Sequence, residues 1–425
     1  MSDSFDFLGL PGVRTTAKVE TDDAITVEAE TTAPRFRQCC LLCNRVSDGQ
    51  RAKRRLINDT NHGGKATVIH MRVRRAKCRS CGKRGMDEII PHLAEGRHMT
   101  QRLYDFIASE GPRNTHAKIG RSVHVSEGTA RSIVRATMAE HLAYRDAQTP
   151  RVLGIDEKTI LRKYRAVVAD IAGRQVLDIL HDRDWALDAY LDRLPEKNRV
   201  QVVCIDMYWG FRKTVSRYLP HTEIVTDKFH VLRRANMAFD AIRRKLVADL
   251  DGRQRSELRQ SKRLFGMREK NLKPDARERV RRWHQLFPVL SEAYWTKERY
   301  FEMYEFCHTP EEAEHYYRHW MKTLPASIRS DFQKACSIKP EWRRPVFAYF
   351  DHPYTTGYVE SINRTIDEIQ RIGRGYSFEM MRGKMLLAGR VEPRTFRNTQ
   401  RLRQAAFEVC RWMTSCLTLS RPATA

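Results

Sequence analysis

No apolar run in the chain is long enough to cross a membrane, and the opening residues MSDSFDFLGL lack the positive segment and long apolar core of a secretory signal. A cytoplasmic protein is expected. In that reducing compartment the 10 cysteines do not make a disulfide framework. Six of them, Cys39, Cys204, Cys307, Cys336, Cys410 and Cys416, have no ligand spacing and read as small buried apolar residues. A phosphate loop is also missing: Gly373 and Gly375 stand in a basic turn without the GxxxxGK[ST] spacing or a preceding strand. Acidic residues are in deficit, 52 against 77 Lys and Arg, and the net charge of +25 points to a polyanionic partner without saying which. With 41% hydrophobic and 30% charged residues, the 425 residues describe a globular chain with room for roughly two to four domains.

What is present is organised around Val200 to Val231. Val200, Val202, Val203, Cys204 and Ile205 form a nearly continuous β-branched run, as a strand buried on both faces requires, and Glu223 to Thr226 repeat the pattern. A helix-length segment separates them, so the two strands are expected to be parallel, each followed by an aspartate, Asp206 and Asp227, at the edge where ligands gather. Upstream, Arg151 to Asp156 is another apolar run broken by an acid. Tyr164 to Ile171 and Gln175 to Leu180 flank the tight turn Ala172-Gly173-Arg174. Trp185 to Leu194 has helical spacing that Pro195 closes. Far downstream, Val359, Ile362, Ile366 and Ile369 make one apolar helical stripe, with Glu360 and Asn363 three apart on a neighbouring face.

The order of three strands, helix, strand, helix, strand, with one acid on the first strand and another after the fourth, is similar to the ribonuclease H fold of polynucleotidyl transferases. GIDE at 154–157, CIDMYWGFR at 204–212, TDKFH at 226–230 and TGYVESINRTI at 356–366 together resemble the DDE transposases of bacterial insertion sequences, the ISL-three family. The resemblance runs from about Leu8 to about Arg390 and rests on the ordered combination. It implies a catalytic triad of Asp156, Asp206 and Glu360 holding Mg2+ or Mn2+, double-stranded DNA as partner, a nucleoid-associated location, and a homodimer or higher assembly on DNA. Proximity alone does not rank Asp206 against Asp227. In the ribonuclease H arrangement the second acid ends the fourth strand, which selects Asp206 and leaves Asp227, with His230 and Asn363, to orient the site.

Two CxxC pairs, Cys40-Leu-Leu-Cys43 and Cys78-Arg-Ser-Cys81, have the spacing of a structural four-cysteine Zn2+ site. Asn44 and Gly82 after them suit the left-handed backbone of such turns. Thr67 to Val73 alternates as a strand, and Gly12 to Lys18 and Ile25 to Thr31 flank an Asp22-Asp23 turn, which suggests a small zinc ribbon. From Thr100 the pattern turns helical. Leu103, Phe106 and Ile107 begin a first helix, Thr115 to Ser122 a second, and Ser126 is placed to cap a third. In a helix-turn-helix reading, Ile133 and Val134 face inward and Arg131 and Arg135 face DNA.

The expected fold is therefore an α/β ribonuclease H-like core with a helical insertion, preceded by a zinc ribbon and a helix-turn-helix domain. The expected boundaries are 1–98 for the ribbon, 99–148 for the helix-turn-helix, 149–231 with 351–392 for the core, 232–350 for the insertion and 393–425 for a tail. The expected function is a transposase that binds terminal inverted repeats and cleaves and transfers strands. The alternatives are a nuclease or resolvase of the same fold that does not join strands, and a zinc and helix-turn-helix regulator.

Overall fold

The computed structural model describes residues 7–388 except 33–36, 40–41, 44–45, 89, 144–147 and 249. The chain divides into two compact units, one made of residues 1–145 and 372–425, the other of residues 146–371.

The first unit opens with β1 (Val13–Glu20) and β2 (Ala24–Thr31), an antiparallel hairpin turning at Asp22-Asp23, followed by β3 (Arg37–Cys39), β4 (Val46–His62), β5 (Lys65–Lys77) and β6 (Arg84–Asp87). β4 and β5 form a long antiparallel hairpin. Its turn needs Gly63 and Gly64, which take φ of 58° and 81°, the left-handed region that glycine enters without a Cβ clash. β5 also pairs in parallel with β2. Alternation sends Val27, Ala29, Ile57, Ile69, Met71 and Val73 into one apolar core beneath the sheet.

Three helices follow: α1 (Gln101–Glu110), α2 (His116–Ser122) and α3 (Glu127–Ala143). Each has a hydroxyl cap that satisfies an orphan amide: Thr100 accepts from Leu103 N at 3.4 Å, Thr115 from Lys118 N at 3.2 Å and Ser126 from Thr129 N at 3.1 Å. The turn between α2 and α3 is tight. A Cβ on Gly120 would lie 2.7 Å from the Val125 carbonyl, so only glycine fits there.

The second unit contains β7 (Val152–Ile160), β8 (Lys163–Asp170), β9 (Gln175–Ile179), α4 (Trp185–Arg193), β10 (Val202–Ile205), α5 (Trp209–Tyr218) and β11 (Glu223–Thr226). The sheet order is β11-β10-β7-β8-β9. β10 is parallel to both β7 and β11, while β8 is antiparallel to β7 and β9. The protein is thus mixed α/β. β10 is buried at every position because both faces are covered: Val203 and Ile205 join the main core with α4 and α5, and Val202 and Cys204 pack on the other side with Val152, Val225 and Ala348.

Helices then fill the chain: α6 (Lys228–Ala248), α7 (Gly252–Gln260), α8 (Lys262–Phe265), α9 (Pro274–Leu286), α10 (Pro288–Phe306), α11 (Pro310–Lys322), α12 (Arg329–Cys336), α13 (Pro340–Phe347) and α14 (Gly357–Ile372). Trp283, Trp320 and Trp342 are buried among them, whereas Trp295 is 47% exposed. The block also buries Lys297, which donates to the Phe265 and Met267 carbonyls at 2.8 and 3.1 Å and pairs with Glu298 at 2.8 Å. Those partners offset only part of the cost of burying its charge, since burial still lowers its pKa to about 8.

α15 (Phe378–Ala388) belongs to the first unit, although the sequence reading counts it with the core. Its Met380 and Leu387 join the α1–α3 core, Gly383 lets it lie against Met138, and buried Lys384 donates to the Gly111 carbonyl and, at 2.8 Å, to that of Asn114.

Candidate active site

Strand register builds this site. Ile155 on β7, Ile205 on β10 and Thr226 on β11 stand opposite one another, so the next residues, Asp156 within β7 and Asp206 and Asp227 just past the ends of β10 and β11, stand at one level. Asp156 lies within β7 and is buried; its Oδ1 accepts from Glu157 N at 2.8 Å and its Oδ2 from Asn363 Nδ2 at 2.8 Å. Asp206 begins the turn into α5, where Oδ1 accepts from Tyr208 N at 3.0 Å and fixes the side chain. Asp227 is fully buried. It accepts from Thr356 N at 3.3 Å on Oδ1 and pairs with His230 Nδ1 at 3.0 Å on Oδ2.

His230, in the first turn of α6, comes together with the first two acids: a ring nitrogen and a carboxylate oxygen each of Asp156 and Asp206 lie within 4.8 Å of one another. Glu360 is outside that group. It stands in the first turn of α14 with a side chain 39% exposed, 4.0 Å from Arg364, yet near enough for its charge to act on Asp156. α14 approaches β7 closely because residue 154 is glycine; a Cβ there would lie 2.8 Å from Ile171 and 3.1 Å from Val359.

The electrostatics show what the site needs. Burial, and then the neighbouring Asp206 carboxylate, push Asp156 up to about 7. Burial also raises Asp206, against the hydrogen bond from Tyr208 N. His230 is raised above its ordinary value chiefly by its bond to Asp227. A buried and a half-buried carboxylate this close favour a counter-cation, and the Asn363 Oδ1 beside them is buried without a hydrogen-bond partner. Oxygen donors, an imidazole and an orphaned acceptor fit a divalent cation or its bound water.

Asp206 and His230 open onto a cleft of about 560 Å3, walled in part by Trp209, Arg233, Arg234 and Met237. Sequence reading missed one neighbour. The Arg183 guanidinium lies over the Tyr164 and Tyr208 rings at 4.7 and 4.4 Å and pairs with Glu157, so it holds positive charge beside the acids. No local motif around Arg183 marks this role.

In the first unit Cys43, Cys78 and Cys81 gather with their sulfurs within 4.8 Å, and those of Cys43 and Cys78 are 3.5 Å apart. The second pair sits in a tight turn closed by Cys78 N to Lys83 O at 2.8 Å and Gly82 N to Cys78 O at 3.0 Å, with Gly82 at φ 73°. Such spacing approaches the edge of a tetrahedron with metal–sulfur bonds of about 2.3 Å. Cys40 and Asn44 lie outside the described residues. Ile133 and Val134 are buried; Arg131, with a side chain 60% exposed, pairs with Glu127, and Arg135 is exposed.

Fold and site together define a class: a mixed α/β protein with an acid-lined candidate cation site where its parallel strands end. Comparison with known proteins makes this particular. Residues 153–385, more than half of the chain, match the family described as transposase, of the DDE type and ISL-three group, and the chain belongs to that family. It is also 24% identical over 347 residues to the transposase for insertion sequence element IS1001 of Bordetella parapertussis, a match covering 80% of this chain and 84% of that one. Among the described residues no helix is long and apolar enough to cross a membrane.

Proposed function

We propose that the chain binds the terminal inverted repeats of an insertion sequence and catalyses cation-dependent strand cleavage and strand transfer on a ribonuclease H-like core. The observation that carries this reading is the register that brings Asp156 and Asp206 to one level, with α14 and its Glu360 laid against the same strand. Asp156, Asp206 and Glu360 act as the catalytic carboxylates and hold Mg2+ or Mn2+. When bound, the cation supplies Lewis-acid stabilisation of the phosphate and activates the attacking oxygen, water or a 3′ hydroxyl.

The chain's own groups do the positioning. The Glu157 amide and Asn363 each hold one oxygen of Asp156, and the Tyr208 amide holds one of Asp206, so both carboxylates are fixed in orientation. Arg233 and Arg234 on the cleft wall offer positive charge to a phosphate backbone. Cys40, Cys43, Cys78 and Cys81 hold a structural Zn2+ that shapes residues 1–98. Residues 99–148 form a helix-turn-helix domain that meets DNA with Arg131 and Arg135. Residues 149–231 and 351–371 form the catalytic core and 232–350 its insertion, while α15 stays with the first unit. Synapsis of two ends demands at least a dimer on DNA, in the cytoplasm at the nucleoid.

The test is a strand-joining assay with duplexes ending in the inverted repeats that bracket the reading frame, in Mg2+ or Mn2+. Joined products are expected from the wild type and none from Asp156→Asn, Asp206→Asn or Glu360→Gln, each of which keeps its DNA binding. Hydrolysis without joining would make the chain a nuclease instead.

A further inference from the structure

We propose that His230 is itself a ligand of the divalent cation and that Asp227 is the positioning residue that makes it one. This rests on the reading of Asp156 and Asp206 as cation ligands, and makes the imidazole beside them a direct ligand along with those carboxylates.

Three contacts carry the proposal. One ring nitrogen of His230 lies within 4.8 Å of carboxylate oxygens of both Asp156 and Asp206, whereas Glu360 stands outside the group. Nδ1 of the same ring is 3.0 Å from Asp227 Oδ2, and an ionised carboxylate only accepts, so Nδ1 carries the hydrogen. A neutral ring with Nδ1–H has its lone pair on Nε2, the atom left to bind metal. The ring also lines the open cleft beside Asp206, which gives a cation a route in. A carboxylate behind a histidine that faces a metal is a recurrent way of fixing the tautomer and strengthening the donor.

Asp227 does a second thing. Its Oδ1 accepts from Thr356 N at 3.3 Å, and the Thr356 carbonyl in turn accepts from Glu360 N at 2.8 Å. One buried carboxylate thus ties the histidine to the first turn of the helix that carries Glu360. Asp227 touches no metal in this arrangement and acts through what it holds.

A donor set of two carboxylates and an imidazole also shifts metal preference. Carboxylate and water ligands suit Mg2+, and a nitrogen donor moves the balance toward Mn2+ and later divalent ions. His230→Ala should therefore narrow the ratio of Mn2+ to Mg2+ affinity as well as weaken binding.

The experiment is pulsed electron paramagnetic resonance on the full-length protein loaded with Mn2+, with Mn2+ and Mg2+ affinities measured by titration in parallel. A nitrogen hyperfine coupling from a directly bound imidazole is expected in the wild type, and isotopic substitution of the histidine nitrogens should change it. His230→Ala should abolish it and weaken Mn2+ at least about tenfold, while Asp227→Asn should weaken Mn2+ on the order of tenfold. Tight Mn2+ binding that Asp206→Asn weakens, but with no nitrogen coupling, would overturn the proposal and leave the carboxylate site standing. A coupling that survives His230→Ala overturns it too. Unchanged affinity in Asp227→Asn removes the positioning role. Mn2+ affinity insensitive to both Asp156→Asn and Asp206→Asn would instead bring down the reading on which the proposal rests. The wild-type spectrum decides even where a variant fails to fold.

Discussion

His116 gives the first unit an acid-sensitive joint. Its ring, at the start of α2, is 2% exposed, neither nitrogen has a hydrogen-bond partner, and it lies 5.0 Å from the Tyr376 ring. Burial, followed by the charges of Lys384 and Arg131, lowers it from 6.5 to about 4. The sign follows from which state takes the proton first. Between those values the unfolded chain binds a proton that the folded chain refuses, so stability is full above 6.5, falls as pH drops, and levels off below about 4. Linkage makes the loss about 2 kcal/mol between pH 7 and pH 5, or roughly 30-fold in local protection. Hydrogen exchange of peptides from α1–α3, corrected for intrinsic rates, reads this directly. In His116→Phe, which keeps a ring against Tyr376 but nothing to protonate, protection should fall by about 2 kcal/mol less over the same interval. Equal pH dependence in the two proteins would refute the reasoning, because acid sensitivity would then come from other groups.

Asp156→Asn should abolish cleavage and yet raise the melting temperature in chelator at pH 8. The wild-type carboxyl is raised from 3.8 to about 7, so its ionisation costs folding free energy as pH climbs through that range; differential scanning calorimetry checks it. Gly154→Ala would place a Cβ 3.1 Å from Val359 and should push α14 outward, reducing cleavage on the order of 100-fold while Mn2+ binding to Asp156 and Asp206 persists. Cys81→Ser should lose stoichiometric Zn2+ by elemental analysis and expose residues 37–88 to proteolysis, since a structural zinc contributes much of the folding free energy of a small module.

How much of this was legible beforehand depends on whether the signal is local. β10 and β11 announce themselves through VVCI and EIVT, and α14 through Val359, Ile362, Ile366 and Ile369, all buried in one stripe. Those patterns report burial on two faces or on one, which neighbours in sequence encode. β4 did not show itself so plainly. Arg54 and Leu56 are exposed on it while Ile57 and Asp59 are buried, so charged and apolar residues do not sort cleanly, and only the Gly63-Gly64 turn marks the hairpin. The grouping of His230 with Asp156 and Asp206 joins three separate elements through register, which no window of sequence contains. The same holds for α15: its helical spacing is visible, but Lys384 reaching Gly111 and Asn114 is a long-range contact.

That last contact has a consequence in time. The first unit takes its helices from both ends of the chain, so α1–α3 leave the ribosome early and wait for α15, which follows the whole second unit. At about 5–20 residues per second the interval is roughly 10 to 50 s. Through it the Met138 side of α3 has no Met380 or Gly383 to cover it. A chain terminated early is thus born with an open apolar seam. Such a chain is expected to be degraded faster than the full-length protein.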